Sequence, residues 1–204
     1  VKAASIEKRQ LILDAAVSVF ARQGFHTCRV SDIAEEAGVA YGLVYHYFKS
    51  KEEVLDTLFL DRWGVMLEAI REIDGREVAA RDKLEAVASF IIESYRHDPH
   101  LMKVIIVEVT RAANSFGAVH LDEIRKAFDL IADIVRKGQA DGDFQDGVTP
   151  EFGAMAFYGV IEQVLTAWIF GLLDEGDAGY ELAKRYVVDT VCAGLESRPE
   201  GSRA

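Results

Sequence analysis

Residues Ser31–Leu55 read SDIAEEAGVAYGLVYHYFKSKEEVL. Ile33, Ala34 and Ala37 share one side of a short helix that Ser31 can cap and that runs through Ala37. Gly38 follows, and a sharp turn there needs the positive-φ backbone that glycine adopts without steric cost. Val39 then returns to the core, and a second short helix is expected from about Tyr41 to Phe48. Two such helices joined by a glycine turn make a helix-turn-helix, whose second helix is placed to enter a DNA major groove. With Ile33, Ala34, Val39, Val44 and Phe48 turned inward, Tyr41, Gly42, Tyr45 and His46 point outward. Tyrosine and histidine beside Lys49 and Lys51 offer hydrogen bonds and flat apolar faces, which suit phosphates and base edges. Gly42 leaves room for a phosphate or base edge to approach the backbone, and the helix opening near Lys51 adds backbone N–H groups for an anion. The bland alternative is a helical hairpin with an aromatic surface.

Working outward, a first helix is expected from Ser5 to Gln23, stopped by Gly24, with Ile12, Ala15, Ala16, Val19 and Phe20 on one face. Ser50-Lys51-Glu52-Glu53 has the S-x-x-E pattern of a capping box and opens a long helix carrying Val54, Leu55, Leu58, Phe59 and Leu67. Helical periods recur over about 82–97, 101–112 and 120–140, and Pro99 sits at the start of one, where its missing N–H does no harm. Thr149-Pro150 starts the first of two long apolar helices, about 150–173 and 178–196. No alternating strand pattern appears, so the expected fold is all-α, with about nine helices. The expected division is a DNA-binding head at 1–49, a ligand-binding and dimerisation body at 50–196, and a disordered polar tail, SRPEGSRA, at 197–204.

The net charge of −11 is unevenly spread. Residues 1–51 hold seven Lys/Arg against five Asp/Glu, a balance of +2, which leaves −13 on the rest. A basic-leaning head on an acidic body draws phosphates to one end. Cys28 and Cys192 are far apart and form no CxxC pair, and Ser5 to Arg9 is polar where a leader would be apolar. Both observations point to a cytoplasmic protein. Ala154–Leu173 has about the length of a bilayer span, but Glu162 and Gln163 sit at its centre. A carboxylate there costs about 2.5–3.5 kcal/mol, so a soluble helix buried on nearly all sides is the better reading. His97 and His100 have no third ligand nearby. Asp141, Asp143 and Asp146 lack the glycine of a calcium loop, and no P-loop, GxGxxG or nucleophile elbow occurs. No metal, cofactor or enzymatic activity is expected.

The run from ILDAAVSVFARQGF through Gly38 to GLVYHYFKSKEEVL resembles the DNA-binding domain of the TetR family of bacterial repressors. The resemblance implies a three-helix head and a helical body that binds an inducer and forms a homodimer on a palindromic operator. It further implies that Tyr41, Gly42, Tyr45, His46, Tyr47 and Lys51 contact DNA. Arg29 and Ser31 correspond to phosphate contacts, although Arg29 stands where the family often has Ser or Thr. For Tyr47, a mostly buried ring with only the hydroxyl reaching out is expected.

In the body, VEVTRAAN (Val107–Asn114) and FYGVIEQVLTAWIF (Phe157–Phe170) are similar to the TetR-family regulators of fatty-acid degradation that release DNA on binding acyl-CoA. Arg111 falls one place later than the arginine of that pattern. Trp63, Leu67, Ile91, Tyr95, Ile106, Phe128, Ile131 and Trp168, with Arg111, are the candidate lining of a mainly apolar pocket. A coenzyme A thioester would need a basic mouth, for which Lys103, Arg111, Arg125 and Lys126 are the candidates. A neutral hydrophobic or aromatic inducer needs none, and both effector classes stay open. The helices at about 150–173 and 178–196 are too apolar for one buried face and are expected to pair across a dimer axis, with Ala156, Gly159, Ala193 and Gly194 permitting close approach.

Overall fold

The computed structural model describes residues 2–109 and 118–195, and every regular element among them is helical. Nine α-helices occur there: α1 (Lys2–Gln23), α2 (Val30–Glu36), α3 (Tyr41–Tyr47), α4 (Lys51–Asp74), α5 (Ala80–His97), α6 (Pro99–Lys103), α7 (Ala118–Ala140), α8 (Pro150–Ile169) and α9 (Asp177–Leu195). A π-helical segment, Val104–Val109, continues α6. The chain divides into two compact units, Val1–Arg62 with Asp98–Phe116, and Trp63–His97 with Gly117–Ala204. The tail at 197–204 and Arg111 lie outside the described residues.

Local chemistry sets the helix ends. Gly38 has φ +63°; its N–H donates to the Glu35 carbonyl at 3.1 Å, and that of Val39 donates to Ala34 at 3.0 Å. This pair of bonds closes the last turn of α2 in the way a left-handed glycine permits. Gly171, with φ +65°, does the same for α8 through Gly171 to Trp168 and Leu172 to Ala167. That helix therefore stops at Ile169 rather than near 173. One start also differs from expectation, and one cap only in its detail. The cap of α2 is Arg29 instead of Ser31, because the Asp32 carboxylate accepts the Arg29 N–H at 2.8 Å and draws the helix back by two residues. At α4, Ser50 Oγ accepts the Glu53 N–H at 3.3 Å, but the Glu53 carboxylate accepts from Lys49 rather than from Ser50. Pro99 starts α6 as expected, and the Asp98 carboxylate caps it by accepting the Leu101 N–H at 2.9 Å.

In the first unit, Ile12, Ala16, Val19, Phe20, Ile33, Val44, Phe48 and Phe59 are buried. α6 and the π-helical segment pack on α1 through buried Met102, Val104 and Ile105. Lys103 ties the two together by donating to the Ala21 carbonyl at 3.0 Å. In the second unit, α7 packs on α8, and α9 packs on both α5 and α8. Ile70, Leu84, Ile92, Ile131, Ile134, Phe157 and Ile161 fill its core.

α8 is long and apolar enough, by length and composition, to cross a membrane. Within a single chain it is not buried on nearly all sides. Gly153, Ala154, Phe157, Ile161, Leu165 and Trp168 face the core, whereas Phe152 and Met155 are more than half exposed. Beside that bare face, Val160, Val164, Leu182 and Tyr186 line a groove of about 290 Å³ between α8 and α9.

Candidate nucleic-acid interface and effector site

The glycine turn orients α3 so that Val44 and Phe48 anchor it while its other side faces solvent. Tyr41 and Tyr45 are 53% and 45% exposed, and Gly42 and His46 are exposed beside them. A side-chain carbon on Gly42 would meet nothing within 4 Å, so the fold itself does not demand glycine there. The two tyrosines, one helical turn apart, are joined: the Tyr41 hydroxyl donates to that of Tyr45 at 3.2 Å, and their rings meet edge to face at 5.2 Å. This hydrogen bond is the first reason that the Tyr45 hydroxyl titrates above its usual range; slight desolvation and the nearby Tyr41 and Glu52 add to it. With Tyr41 as donor, the Tyr45 proton is left free for a further acceptor.

Tyr47 is half-buried, and its hydroxyl lies 3.2 Å from Ser5 Oγ on α1, so this hydroxyl already has a protein partner. Arg29 and Ser31 are exposed at the start of α2. They share an open depression of about 520 Å³ with Tyr41, Tyr45, Ser50, Lys51 and Glu52. Lys51 is placed differently from a simple phosphate contact. Its ammonium donates to the carbonyls of Phe25 at 2.7 Å, Cys28 at 3.0 Å and His26 at 3.3 Å, and lies 4.7 Å from the centre of the Phe25 ring. A single cation thereby closes the loop between α1 and α2 and fixes the residues that lead into Arg29.

The effector candidates fall into separate groups. Leu67, Ile91 and Ile131 are buried core residues. Ile106 lies in the π-helical segment, in the first unit. The others form two aromatic clusters in the second unit. In one, the Trp63 and Phe128 rings stand edge-on to Tyr158 at 6.3 and 5.4 Å, and the Trp63 indole N–H donates to the Glu123 carbonyl at 2.8 Å. In the other, Tyr95 stacks on Trp168 at 5.4 Å, Tyr180 meets Trp168 edge-on at 4.9 Å, and the Tyr95 hydroxyl donates to Glu175 at 3.0 Å. Burial first, then Glu175, pushes the Tyr95 hydroxyl upward in pKa. Sequence reading missed Tyr158 and Tyr180; no spacing rule separates them from ordinary core aromatics. Of the basic candidates, Lys103 bonds to Ala21, Arg125 pairs with Asp122 at 3.1 Å, and Lys126 pairs with Glu123 at 2.6 Å.

A tight glycine turn, an exposed aromatic and polar helix beside it, and a separate all-helical body together define a DNA-binding regulator. Residues 12–58 match the description "Bacterial regulatory proteins, tetR family", and residues 59–186 match "YsiA-like protein, C-terminal region". The chain belongs to the tetR family; it is a transcriptional regulator and not an enzyme. It is 31% identical to the fatty acid metabolism regulator protein of Bacillus subtilis (strain 168), over 94% of this chain and 97% of that protein. It is 28% identical to the HTH-type transcriptional repressor KstR2 of Rhodococcus jostii (strain RHA1), over 79% and 77% of the two chains. Among solved structures, the fatty acid degradation regulator FadR from Bacillus halodurans superposes with a TM-score of 0.83 at 26% identity, covering 94% of this chain and 97% of that one. FadR from Bacillus subtilis in complex with stearoyl-CoA gives 0.78 at 26% identity, covering 92% and 99%.

Proposed function

We propose that this chain is a homodimeric bacterial repressor that holds a palindromic operator and leaves it on binding a long-chain acyl-CoA. The observation that carries this reading is the likeness, over nearly the whole length of both chains, to regulators of fatty-acid metabolism, one of them solved with stearoyl-CoA. Residues 1–49 read DNA, and residues 50–196 hold the effector and the second copy. Tyr41, Gly42, Tyr45 and His46 meet the major groove, Arg29 and Ser31 meet phosphates, and Tyr47 and Lys51 hold these groups in place. Two heads reach half-sites whose centres lie about 34–36 Å apart, or a multiple of that. The exposed Phe152, Met155, Leu182 and Tyr186 favour a dimer through α8 and α9 rather than a membrane, since each copy can cover the bare face of the other. Such a protein works in the cytoplasm, where its operator is.

The effector acts by favouring a conformer of low operator affinity. α6 and the π-helical segment pack on α1, so a ligand that shifts them disturbs the head directly. Trp63, Leu67, Ile91, Tyr95, Phe128, Ile131 and Trp168, all in the second unit, are the proposed lining. A neutral hydrophobic or aromatic effector is the second reading. The balance of −13 on the body favours it, as does the bond already made by Lys103 to the Ala21 carbonyl. A labelled operator complex titrated with acyl-CoAs of rising chain length, with fatty acids and coenzyme A as controls, separates the two. Release by acyl-CoA alone, strengthening with chain length, is expected. An intact complex at tens of micromolar acyl-CoA removes this effector and leaves the repressor.

A further inference from the structure

The starts of α2, α3 and α4 surround the open depression of about 520 Å³ on the head. Four hydroxyl-bearing residues line it, Ser31, Tyr41, Tyr45 and Ser50, together with two cations, Arg29 and Lys51. All of these suit a phosphate. The same wall also carries a carboxylate, that of Glu52, exposed on the first turn of α4. The helix does not need it there. Its capping carboxylate is Glu53, which accepts the Lys49 N–H at 2.6 Å, and a second acid in that turn adds only the weak attraction of the helix N-terminus. Nor does Glu52 balance a surplus of cations. Lys51 is committed to the carbonyls of Phe25, His26 and Cys28, so Arg29 is the lining cation left to meet an incoming anion. The carboxylate is felt at the opposite wall: after the bond from Tyr41, slight desolvation and the charge of Tyr41, it helps hold the Tyr45 hydroxyl above its usual range. The balance over residues 1–51 is only +2, so a carboxylate at residue 52 halves it.

We propose that Glu52 is a specificity residue of the DNA-binding face, which acts by repelling phosphates that arrive in the wrong register. This rests on the reading above that Arg29, Ser31, Tyr41 and Tyr45 face DNA. Phosphate attraction supplies essentially all of the affinity for random DNA, which settles in whichever registers bring its phosphates closest to the cations. A carboxylate inside the depression penalises those registers. An operator is held in one register by base contacts from α3, with its phosphate on the Arg29 and Ser31 side and clear of Glu52. The penalty falls on random DNA more than on the operator, and the ratio of the two affinities rises.

The test uses the full chain, a duplex that the protein selects from a random pool, and a scrambled duplex of the same length and composition. Fluorescence anisotropy at several salt concentrations follows wild type, Glu52→Gln and Arg29→Gln, with a thermal melt of each. Per head, Glu52→Gln should tighten the scrambled duplex about fivefold, the factor for two unit charges a few ångströms apart in water, and the selected duplex less than about twofold. Its melt should stay within about 2 °C of wild type, as the loss of an acid that does not cap the helix requires. Arg29→Gln should weaken both duplexes and lower the slope of log affinity against log salt by about 0.9 per head. Equal tightening of the two duplexes by Glu52→Gln, no change in either, or weakening of the selected one overturns the proposal. A lowered slope in Arg29→Gln then still keeps the depression on DNA. Arg29→Gln without effect on either duplex overturns both, and a pool that yields no preferred duplex removes the operator and the proposal together.

Discussion

Replacing Lys51 with Met separates a residue that touches DNA from one that shapes the surface touching it. The substitution keeps the apolar stem over Phe25 and removes the ammonium that donates to the carbonyls of Phe25, Cys28 and His26. A hydrogen bond to a charged group contributes about 1.5–3 kcal/mol net, but these three share one partly exposed cation and do not add. A loss of about 2–4 kcal/mol is therefore expected, the carbonyls recovering part of it from water. At about 2–4 °C per kcal/mol for a chain of this size, the melting temperature of the DNA-free protein should fall by about 4–16 °C. Operator affinity should fall at every salt concentration, because the loop leading into Arg29 and Ser31 is no longer held. The slope of log affinity against log salt should change by less than about half a unit, since no phosphate loses its partner. Fluorescence anisotropy at several salt concentrations, with a thermal melt alongside, measures both quantities. An unchanged melt together with a slope reduced by about 0.9 would show that Lys51 neutralises a phosphate and would refute the reasoning.

The hydroxyl pair on α3 predicts non-additivity. Tyr41→Phe and Tyr45→Phe should each weaken operator binding by about 1 kcal/mol, and the double variant should be little worse than Tyr45→Phe alone; strictly additive losses would mean that the two act independently. At Gly159 a side-chain carbon meets nothing within 4 Å of its own chain, so Gly159→Arg should leave the helical circular-dichroism signal intact. It should nonetheless yield monomers that no longer bind operator; a dimeric Gly159→Arg protein at micromolar concentration would place the interface elsewhere. Glu162 gives a pH dependence with a definite sign. Its folded pKa is raised, so its contribution is fully present below the unfolded value of about 4.3 and is lost as pH rises through the folded value. Glu162→Gln should therefore gain melting temperature over wild type as pH goes from 5 to 8, and a gap that stays flat over that range would count against burial of the carboxyl.

The head was legible because each of its signals is local. Gly38 at positive φ, Val44 and Phe48 as anchors, and the outward Tyr41, Tyr45 and His46 all follow from spacing within eleven residues. What escaped the sequence was partnership across distance. Nothing in the order of residues tells that Lys51 reaches back more than twenty positions to three carbonyls, or that Tyr47 is met by Ser5. The start of α2 failed for a related reason: the order of residues does not tell that the Asp32 carboxylate takes the Arg29 N–H and makes Arg29 the cap.

The body resisted for a different physical reason. Apolar residues that pack on one another and apolar residues that line a cavity obey the same 3.6-residue period, so periodicity alone groups Leu67, Ile91 and Ile131 with Trp63 and Phe128. The discriminating signal is polar. In a well-packed core a phenol finds a partner, as Tyr95 finds Glu175. Charge follows the same logic. Arg125 and Lys126 carry salt bridges to carboxylates three residues away, and such exposed pairs are worth about 0–1 kcal/mol. A phosphate that approaches them therefore needs to displace little. The acidic balance of the body and an anionic coenzyme A head group are compatible to the extent that these weak pairs exchange partners. Lowering salt should accordingly tighten acyl-CoA binding in wild type but not in an Arg125→Gln/Lys126→Gln variant, and calorimetry at two salt concentrations decides it. Equal salt dependence in both proteins would move the basic mouth away from α7.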